Sequence, residues 1–244
     1  MKFRLKAAGI HLLISAVVAF IGLYLVFFVW HPDPLQKIVG VTHIFLIMMG
    51  VDVTLGPILT LIVASSPQKK TLKTDLLVIC IIQVAAYVYG MGSITQSRPV
   101  YIAFDRIRFE VVQADTVVRN ADKKIAPEFL QNPIFQPQWV NVIPFKDDKE
   151  RNERTFTEMQ TGVSSAMRAD LYQPIDAAWP VITQNKHQLA DLSQFNEQSF
   201  IQEELAKHPQ ADSYMPLKGP AEVGIVLLDS QQHRILGIST LSPE

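Results

Sequence analysis

Three long apolar segments lie in the first part of the chain. Residues 10–30 contain no Asp, Glu, Lys or Arg, and residues 41–64 are interrupted only by His43 near their start and by Asp52. A third apolar segment covers residues 76–94. At about 1.5 Å per residue, a helix of some 20 residues crosses the roughly 30 Å hydrocarbon core of a bilayer. The pattern therefore predicts three transmembrane helices, with spans of about 10–30, 41–64 and 76–94.

The first span has features of both a signal peptide and a membrane anchor. A basic stretch precedes it, with Lys2, Arg4 and Lys6. However, its apolar run is longer than the roughly 7–15 residues of a signal-peptide core. The run also ends in the bulky residues 26–30, where no small-residue cleavage site follows. We therefore expect an uncleaved anchor.

Basic residues beside the spans predict the orientation of the chain. Besides those at the N-terminus, Lys69, Lys70 and Lys73 lie between the second and third spans, whereas residues 31–40 hold only Lys37. Because basic flanks remain in the cytoplasm, we expect a cytoplasmic N-terminus. Residues 1–96 then form a transmembrane domain and residues 97–244 a periplasmic domain. The predicted location is the inner membrane, with several passes through the lipid bilayer.

The distribution of charge supports this division. Residues 1–97 hold 7 Lys and Arg against 3 Asp and Glu, while residues 98–244 hold 15 against 20. The second part therefore has the composition of an acidic water-soluble domain. A nucleic-acid partner is not expected, because the formal net charge of −1 lacks the clustered basic excess of such proteins. Cys80 is the only cysteine, so no internal disulfide can form.

Strand signals lie at both ends of the predicted periplasmic domain. Residues 100–112 are rich in β-branched and aromatic side chains, and Asp105-Arg106 marks either a tight turn or an irregular point in one strand. Near the C-terminus, residues 223–228 and 235–240 flank a polar loop and predict a β-hairpin. Residues 122–138 contain three prolines and are expected to form a loop with at most a short helix.

Helix signals lie between these strands. Residues 147–171 are free of proline and rich in charge, and Pro174 follows them. Their apolar residues are spaced by 3, 4, 4 and 4 positions, which predicts one helix face: Phe156, Met159, Val163, Met167 and Leu171. Residues 200–207, before Pro209, predict a second, shorter helix. The fold class is thus three transmembrane α-helices followed by an α+β extracytoplasmic domain.

Motifs that carry catalytic chemistry are missing from the sequence. The six histidines form no HxH or HExxH spacing, and there is no CxxC pair to bind a metal. No GxSxG nucleophile motif and no Gly-rich phosphate loop occur either. We therefore predict no catalytic residues, no metal and no cofactor, and expect that the protein is not an enzyme.

Asp52 is the most informative residue within the spans. An ionisable group at the centre of a bilayer costs about 2.5–3.5 kcal/mol on insertion scales, so Asp52 must face protein or water. Three interpretations are open. First, Asp52 can hydrogen-bond another helix of the same chain, where Gln83 lies at a similar depth. Second, it can contact a helix of a partner. Third, it can relay protons in transport.

Two further features mark the spans as candidates for helix packing. Gly56 and Pro57 follow Asp52 by about one turn, where proline can kink a helix and glycine permits close approach. Either the three spans pack on each other there, or the irregularity forms a groove for another helix. Asp75 precedes the third span, where it suits the helix dipole or pairs with a cationic group of a partner.

Several short segments of the chain resemble the TfpX/TfpZ family of type IV pilin accessory proteins. They are residues 50–63 (GVDVTLGPILTLIV), residues 73–76 (KTDL), Gln83, Tyr89-Gly90, and, after the third span, Arg98, Pro99, Tyr101, Phe104, Arg108 and Phe109. The resemblance extends over residues 1–112. The chain departs from the family pattern at Ile107, which stands where an aspartate precedes the Arg-Phe pair.

The resemblance implies an inner-membrane protein that assists or modulates assembly of a cognate type IV pilin by direct contact with the membrane-held pilin. Other pilus assembly proteins are further implied partners, and no enzymatic activity is implied. The alternative is a membrane-anchored periplasmic sensor or ligand-binding protein that is unrelated to pili.

Overall fold

Three long helices dominate the first part of the structure. Helix α1 spans Lys2–Tyr24 and continues into a π-helical segment, Leu25–Trp30. After a short helix α2 (Leu35–Val39), helix α3 spans Val41–Val63 and helix α4 spans Leu72–Gln96. The computed structural model describes residues 1–66 and 68–243. Helix α1 with its π-helical extension, α3 and α4 are each long and apolar enough to cross a membrane, as the hydrophobic pattern predicts.

These three helices form one unit of the chain, Met1–Pro32 with Val41–Gln96. Their shared core is built from side chains of all three: Val26, Val41, Phe45, Met49, Met91 and Ile94. Only 11% to 17% of the residues in their apolar stretches are buried. A helix that is apolar all around is stable only where lipid or protein covers it. The unit therefore has the length and composition expected of the membrane-spanning part of a membrane protein.

The second unit contains one mixed sheet. Its strands are β1 (Pro99–Asp105), β2 (Arg108–Gln113), β3 (Gln138–Val142), β4 (Tyr172–Pro174), β5 (His187–Gln188), β6 (Ser213–Lys218), β7 (Val223–Asp229) and β8 (Arg234–Ser239). The order is β4-β3-β1-β2-β6-β7-β8, and β5 pairs with β6. The pairs β1/β3 and β2/β6 are parallel, and the other pairs are antiparallel.

The predicted α+β class is confirmed. Helices α5 (Asp148–Thr161), α6 (Trp179–Asn185) and α7 (Gln198–Lys207) accompany the sheet. Of the two interpretations of Asp105-Arg106, the tight turn is correct, because Arg106 has φ of 62° and the chain reverses there from β1 to β2. The predicted C-terminal hairpin is also present, as β7 and β8.

The helix predicted over residues 147–171 is wrong in its second half. Asp147 caps the start of α5 by accepting a hydrogen bond from the backbone N–H of Glu150 at 2.8 Å, but α5 ends at Thr161. Gly162 follows with φ of 72°, a left-handed conformation that terminates helices and favours glycine. Residues 163–171 then form two short 3₁₀ turns.

The predicted apolar face of that helix consequently does not exist as one surface. Phe156 and Met159 are exposed on α5, whereas Leu171 is buried beside the sheet. The spacing of the five apolar residues is helical, but it spans a glycine that reverses the backbone. The side chains before Gly162 therefore face solvent, whereas Leu171 after it packs in the domain core.

Residues 33–40 belong to the second unit, together with Ser97–Glu244. Within them, Leu35 and Ile38 of α2 are buried in the same cluster as residues of the sheet such as Phe109 and Leu217. The backbone carbonyl of Ile38 accepts hydrogen bonds from the N–H groups of Ala221 at 3.1 Å and Glu222 at 3.2 Å. The sequence pattern places residues 33–40 within a transmembrane domain of residues 1–96. In the structure, this short segment is instead part of the α+β domain.

Candidate helix-packing site among the membrane-spanning helices

Asp52 and Gln83 lie together between α3 and α4. The side-chain amide of Gln83 donates a hydrogen bond to the backbone carbonyl of Asp52 at 3.0 Å. Gly56 makes this contact possible, because a Cβ at this position would overlap the Gln83 amide. The interhelical bond therefore uses the backbone of Asp52 and leaves its side chain for other contacts.

The Asp52 carboxylate lies among the three long helices, beside a space with a mainly apolar lining. Its Oδ2 atom is shielded from solvent and has no hydrogen-bond partner among residues 1–66 and 68–243. Burying such an atom without a partner is costly in a membrane, where water cannot replace the missing donor. Asp52 is thus the least satisfied polar side chain of the candidate site.

A cavity of about 130 Å³ lies beside Asp52. Side chains of α1, α3 and α4 line it, and its surface is mainly apolar; the polar members are His11, Ser15, Asp52, Gln83 and Tyr87. A space of this size accommodates a side chain or a few water molecules. The cavity therefore gives the carboxylate of Asp52 room to meet a group from outside the bundle.

A second polar contact, not predicted from the sequence, connects α1 with α3. The Nδ1 atom of His11 lies 2.6 Å from the hydroxyl oxygen of Thr60, which is buried. Both residues are polar exceptions within apolar spans, which is the signal that could have revealed the pair. Helix α3 stays continuous through Pro57 between Asp52 and Thr60, so these residues share one rigid helix.

Asp75 lies in the first turn of α4 and is paired within its own chain. Its Oδ2 atom is 2.7 Å from Nζ of Lys69 and accepts a hydrogen bond from the hydroxyl of Thr71 at 2.9 Å. Solvent-accessible ion pairs of this kind contribute little to stability. A cationic partner could therefore replace Lys69 at little cost.

The part of the family resemblance that follows the third span is mainly a core motif. Its members are Arg98, Pro99, Tyr101, Phe104, Arg108 and Phe109, which build the β1/β2 hairpin. Tyr101, Phe104 and Phe109 are buried, whereas Arg108 is exposed. Arg98 and Tyr101 also donate hydrogen bonds to the backbone carbonyls of Pro133 at 3.1 Å and Gln131 at 3.0 Å. These two side chains position the loop that precedes β3.

Two carboxylates form short hydrogen-bond networks in the α+β domain, Glu110 in a buried position and Asp212 in a partly buried one. Glu110 of β2 accepts a hydrogen bond from the hydroxyl of Ser164 at 3.0 Å. Asp212 accepts hydrogen bonds from the Ser213 hydroxyl at 2.6 Å and from the backbone and hydroxyl of Ser230. Burial acts to raise the pKa of the Asp212 carboxyl, but these hydrogen bonds outweigh it, so that the pKa lies below the usual 3.8.

In the part of the chain that the structure describes, no group of three or more His, Cys, Asp or Glu side chains is arranged to hold a metal ion. The polar contacts found here are pairs and short networks.

The architecture defines a class of protein: three membrane-spanning helices followed by an α+β domain. Comparison with known proteins then identifies the family. The family model "Fimbrial assembly protein FimB" matches residues 1–40. The fimbrial assembly protein of Dichelobacter nodosus serogroup I is 39% identical over 153 residues, which are 62% of this chain and 59% of that protein. The serogroup E1 protein is 37% identical over 172 residues, 70% of this chain and 66% of that protein.

A shorter relative is matched over most of its length. The fimbrial assembly protein of Dichelobacter nodosus serogroups C1 and C2 is 44% identical over 105 residues, which are 42% of this chain and 79% of that protein. The chain belongs to the family of fimbrial assembly proteins, in agreement with the predicted resemblance to type IV pilin accessory proteins. No solved structure matches the chain.

Proposed function

We propose that the protein is an inner-membrane accessory protein that assists or modulates assembly of a cognate type IV pilin, by direct contact with the membrane-held pilin. The names of its relatives support a role in fimbrial assembly. The three apolar helices support a place in the same membrane as the pilin before assembly.

The observation that carries direct contact is the unpartnered carboxylate oxygen of Asp52. Polar side chains in a membrane associate helices because hydrocarbon offers no hydrogen bonds. A helix of the pilin that packs beside the cavity would supply the donor that the described part of this chain does not. The first interpretation of Asp52, a bond within the chain, is less favoured because Gln83 bonds its backbone instead.

Contacts within the α+β domain support the proposed topology. Residues 33–40, between the first two spans, pack against residues 219–222. Both segments must therefore lie on the same side of the membrane. With three spans, this is the side opposite the N-terminus, which the basic flanks place in the cytoplasm. The α+β domain would thus lie in the periplasm, beside the globular domain of the pilin.

Site-specific photocrosslinking in living cells tests direct contact. The probe amino acid replaces Val84, which lines the cavity and is 57% exposed. The matched control places it at Ile82, which is 62% exposed on the same helix. Two residues along a helix are about 160° apart around its axis, so the control faces away at the same depth. We expect capture of pilin from Val84 and little from Ile82.

Two results would count against the proposal. Absence of pilin adducts at both positions, at normal protein levels, would remove the case for contact through the cavity. Equal capture at both would mean that pilin meets the bundle without using this site.

A further inference from the structure

Residues 127–137 begin with a short 3₁₀ turn, Pro127–Phe129, and continue as a loop that exposes large apolar side chains on the α+β domain. Leu130, Ile134 and Phe135 are more than half exposed, whereas Phe129 is buried beneath them. We call this segment the 127–137 loop. Three exposed apolar residues within six positions are unusual for a surface that faces only water.

The 127–137 loop is held firmly by hydrogen bonds from the rest of the domain. Arg119 donates to the backbone carbonyl of Phe129 at 3.1 Å and to the side chain of Asn132 at 2.6 Å. The Asn132 amide donates to the carbonyl of Ala114 at 3.1 Å. Together with the bonds from Arg98 and Tyr101 described above, these contacts fix the backbone of the segment that carries the exposed apolar side chains.

The strand topology places this loop at the end of the sheet that is attached to the third span. Strand β1 begins at Pro99, three residues after α4 ends at Gln96. Strand β3 is parallel to β1, with Tyr101 paired with Gln138. The loop that enters β3 therefore lies beside the start of β1.

Covalent geometry limits how far the loop can be from the span. Arg98 is two residues beyond Gln96, and two residues extend at most about 7 Å. The guanidinium of Arg98 lies 3.1 Å from the carbonyl oxygen of Pro133 in the middle of the 127–137 loop. By contrast, Ile107 lies in the turn at the other end of β1, about 20 Å further along the strand.

We propose that the 127–137 loop binds the outer surface of the phospholipid bilayer and inserts Leu130, Ile134 and Phe135 into its interfacial region. Aromatic and aliphatic side chains gain free energy in this region, which begins where the third span ends. Such a contact would hold the α+β domain at the membrane surface. This inference depends on the three spans but not on the proposed contact with pilin.

Fluorescence quenching by labelled lipids tests the proposal on the full chain. In a Cys80→Ala background, single cysteines at Ile134 or Phe135 carry the environment-sensitive dye NBD. The matched control is Ile107, an isoleucine of similar exposure: 63%, against 67% for Ile134. The protein is reconstituted in phosphatidylcholine vesicles, with and without a nitroxide near the headgroup end of the acyl chain.

We expect loss of fluorescence in the nitroxide lipid and blue-shifted emission at positions 134 and 135, with neither at position 107. Three outcomes would overturn the proposal. They are no lipid quenching at 134 and 135, equal quenching at 134 and 107, and a blue shift at 134 without quenching. The last would mean that protein, such as a second copy of the chain, covers the loop instead of lipid.

Discussion

Replacement of Ile38 by alanine is expected to destabilise the α+β domain, although Ile38 lies between the first two spans. Its side chain is completely buried. A Cβ on Gly219 would overlap it, and a Cβ on Gly224 would lie only 3.2 Å from it. The substitution removes three methyl or methylene groups from a tightly packed site and leaves a cavity.

The magnitude follows from core substitutions of this type. Changes from Ile or Leu to Ala in protein cores cost about 2–5 kcal/mol, of which part is lost burial and part is the remaining cavity. Amides that exchange only when the whole domain opens should therefore exchange roughly 30-fold to several thousand-fold faster. The conversion is that about 1.4 kcal/mol of stability changes the exchange rate tenfold.

Hydrogen exchange followed by mass spectrometry measures the effect separately in each part of the chain. The full protein in lipid nanodiscs is compared with the Ile38→Ala and Lys37→Ala variants; Lys37 is an exposed neighbour on the same short helix. Peptides from β6 and β7 should lose protection in the Ile38 variant only. Equal protection in the two variants would refute the reasoning that residues 33–40 are part of the domain core.

Three further predictions concern topology, the bundle and pH. Alkaline phosphatase fused after Glu244 should be active in cells, and a fusion within residues 65–71 should not; the reverse pattern would contradict the proposed orientation. Asp52→Leu should lower the number of surface pili seen by electron microscopy, while Asp52→Asn is tolerated because it keeps the size and the hydrogen-bonding capacity of the side chain. The effect of Leu should be partial, because one interhelical hydrogen bond contributes only ~0.6 kcal/mol, with a maximum near ~1.7. Wild-type piliation in both variants at matched protein levels would count against a role for this residue. The lowered pKa of Asp212 contributes stability that is complete above pH 3.8 and is lost as the pH falls through the folded-state value. Urea unfolding between pH 6 and pH 3 should therefore show a steeper loss in the wild type than in Asp212→Asn, and equal slopes would contradict this assignment.

Much of the architecture could be predicted from local sequence. A membrane span needs about 20 consecutive apolar residues, and such runs are visible without any structure. The C-terminal hairpin is likewise visible in a short segment of neighbouring residues, whereas at Asp105-Arg106 the sequence left a tight turn and an irregular strand open. Asp52 could be identified as a candidate because a carboxylate within an apolar span is costly wherever the chain folds.

Only the tertiary structure decided how distant segments meet. Ile38 looks like an ordinary apolar residue of a short loop, yet its partners lie about 180 positions further along the chain, at Gly219 and Gly224. The helical spacing across Gly162 could not reveal that this glycine adopts a left-handed conformation. At Asp52, only the structure shows that Gln83 bonds the backbone, which leaves a carboxylate oxygen without a partner in the described residues. Local sequence determines which segments are helical, extended or membrane-spanning, because these depend on neighbouring residues; burial and hydrogen-bond partners depend on contacts that the chain makes only after it has folded.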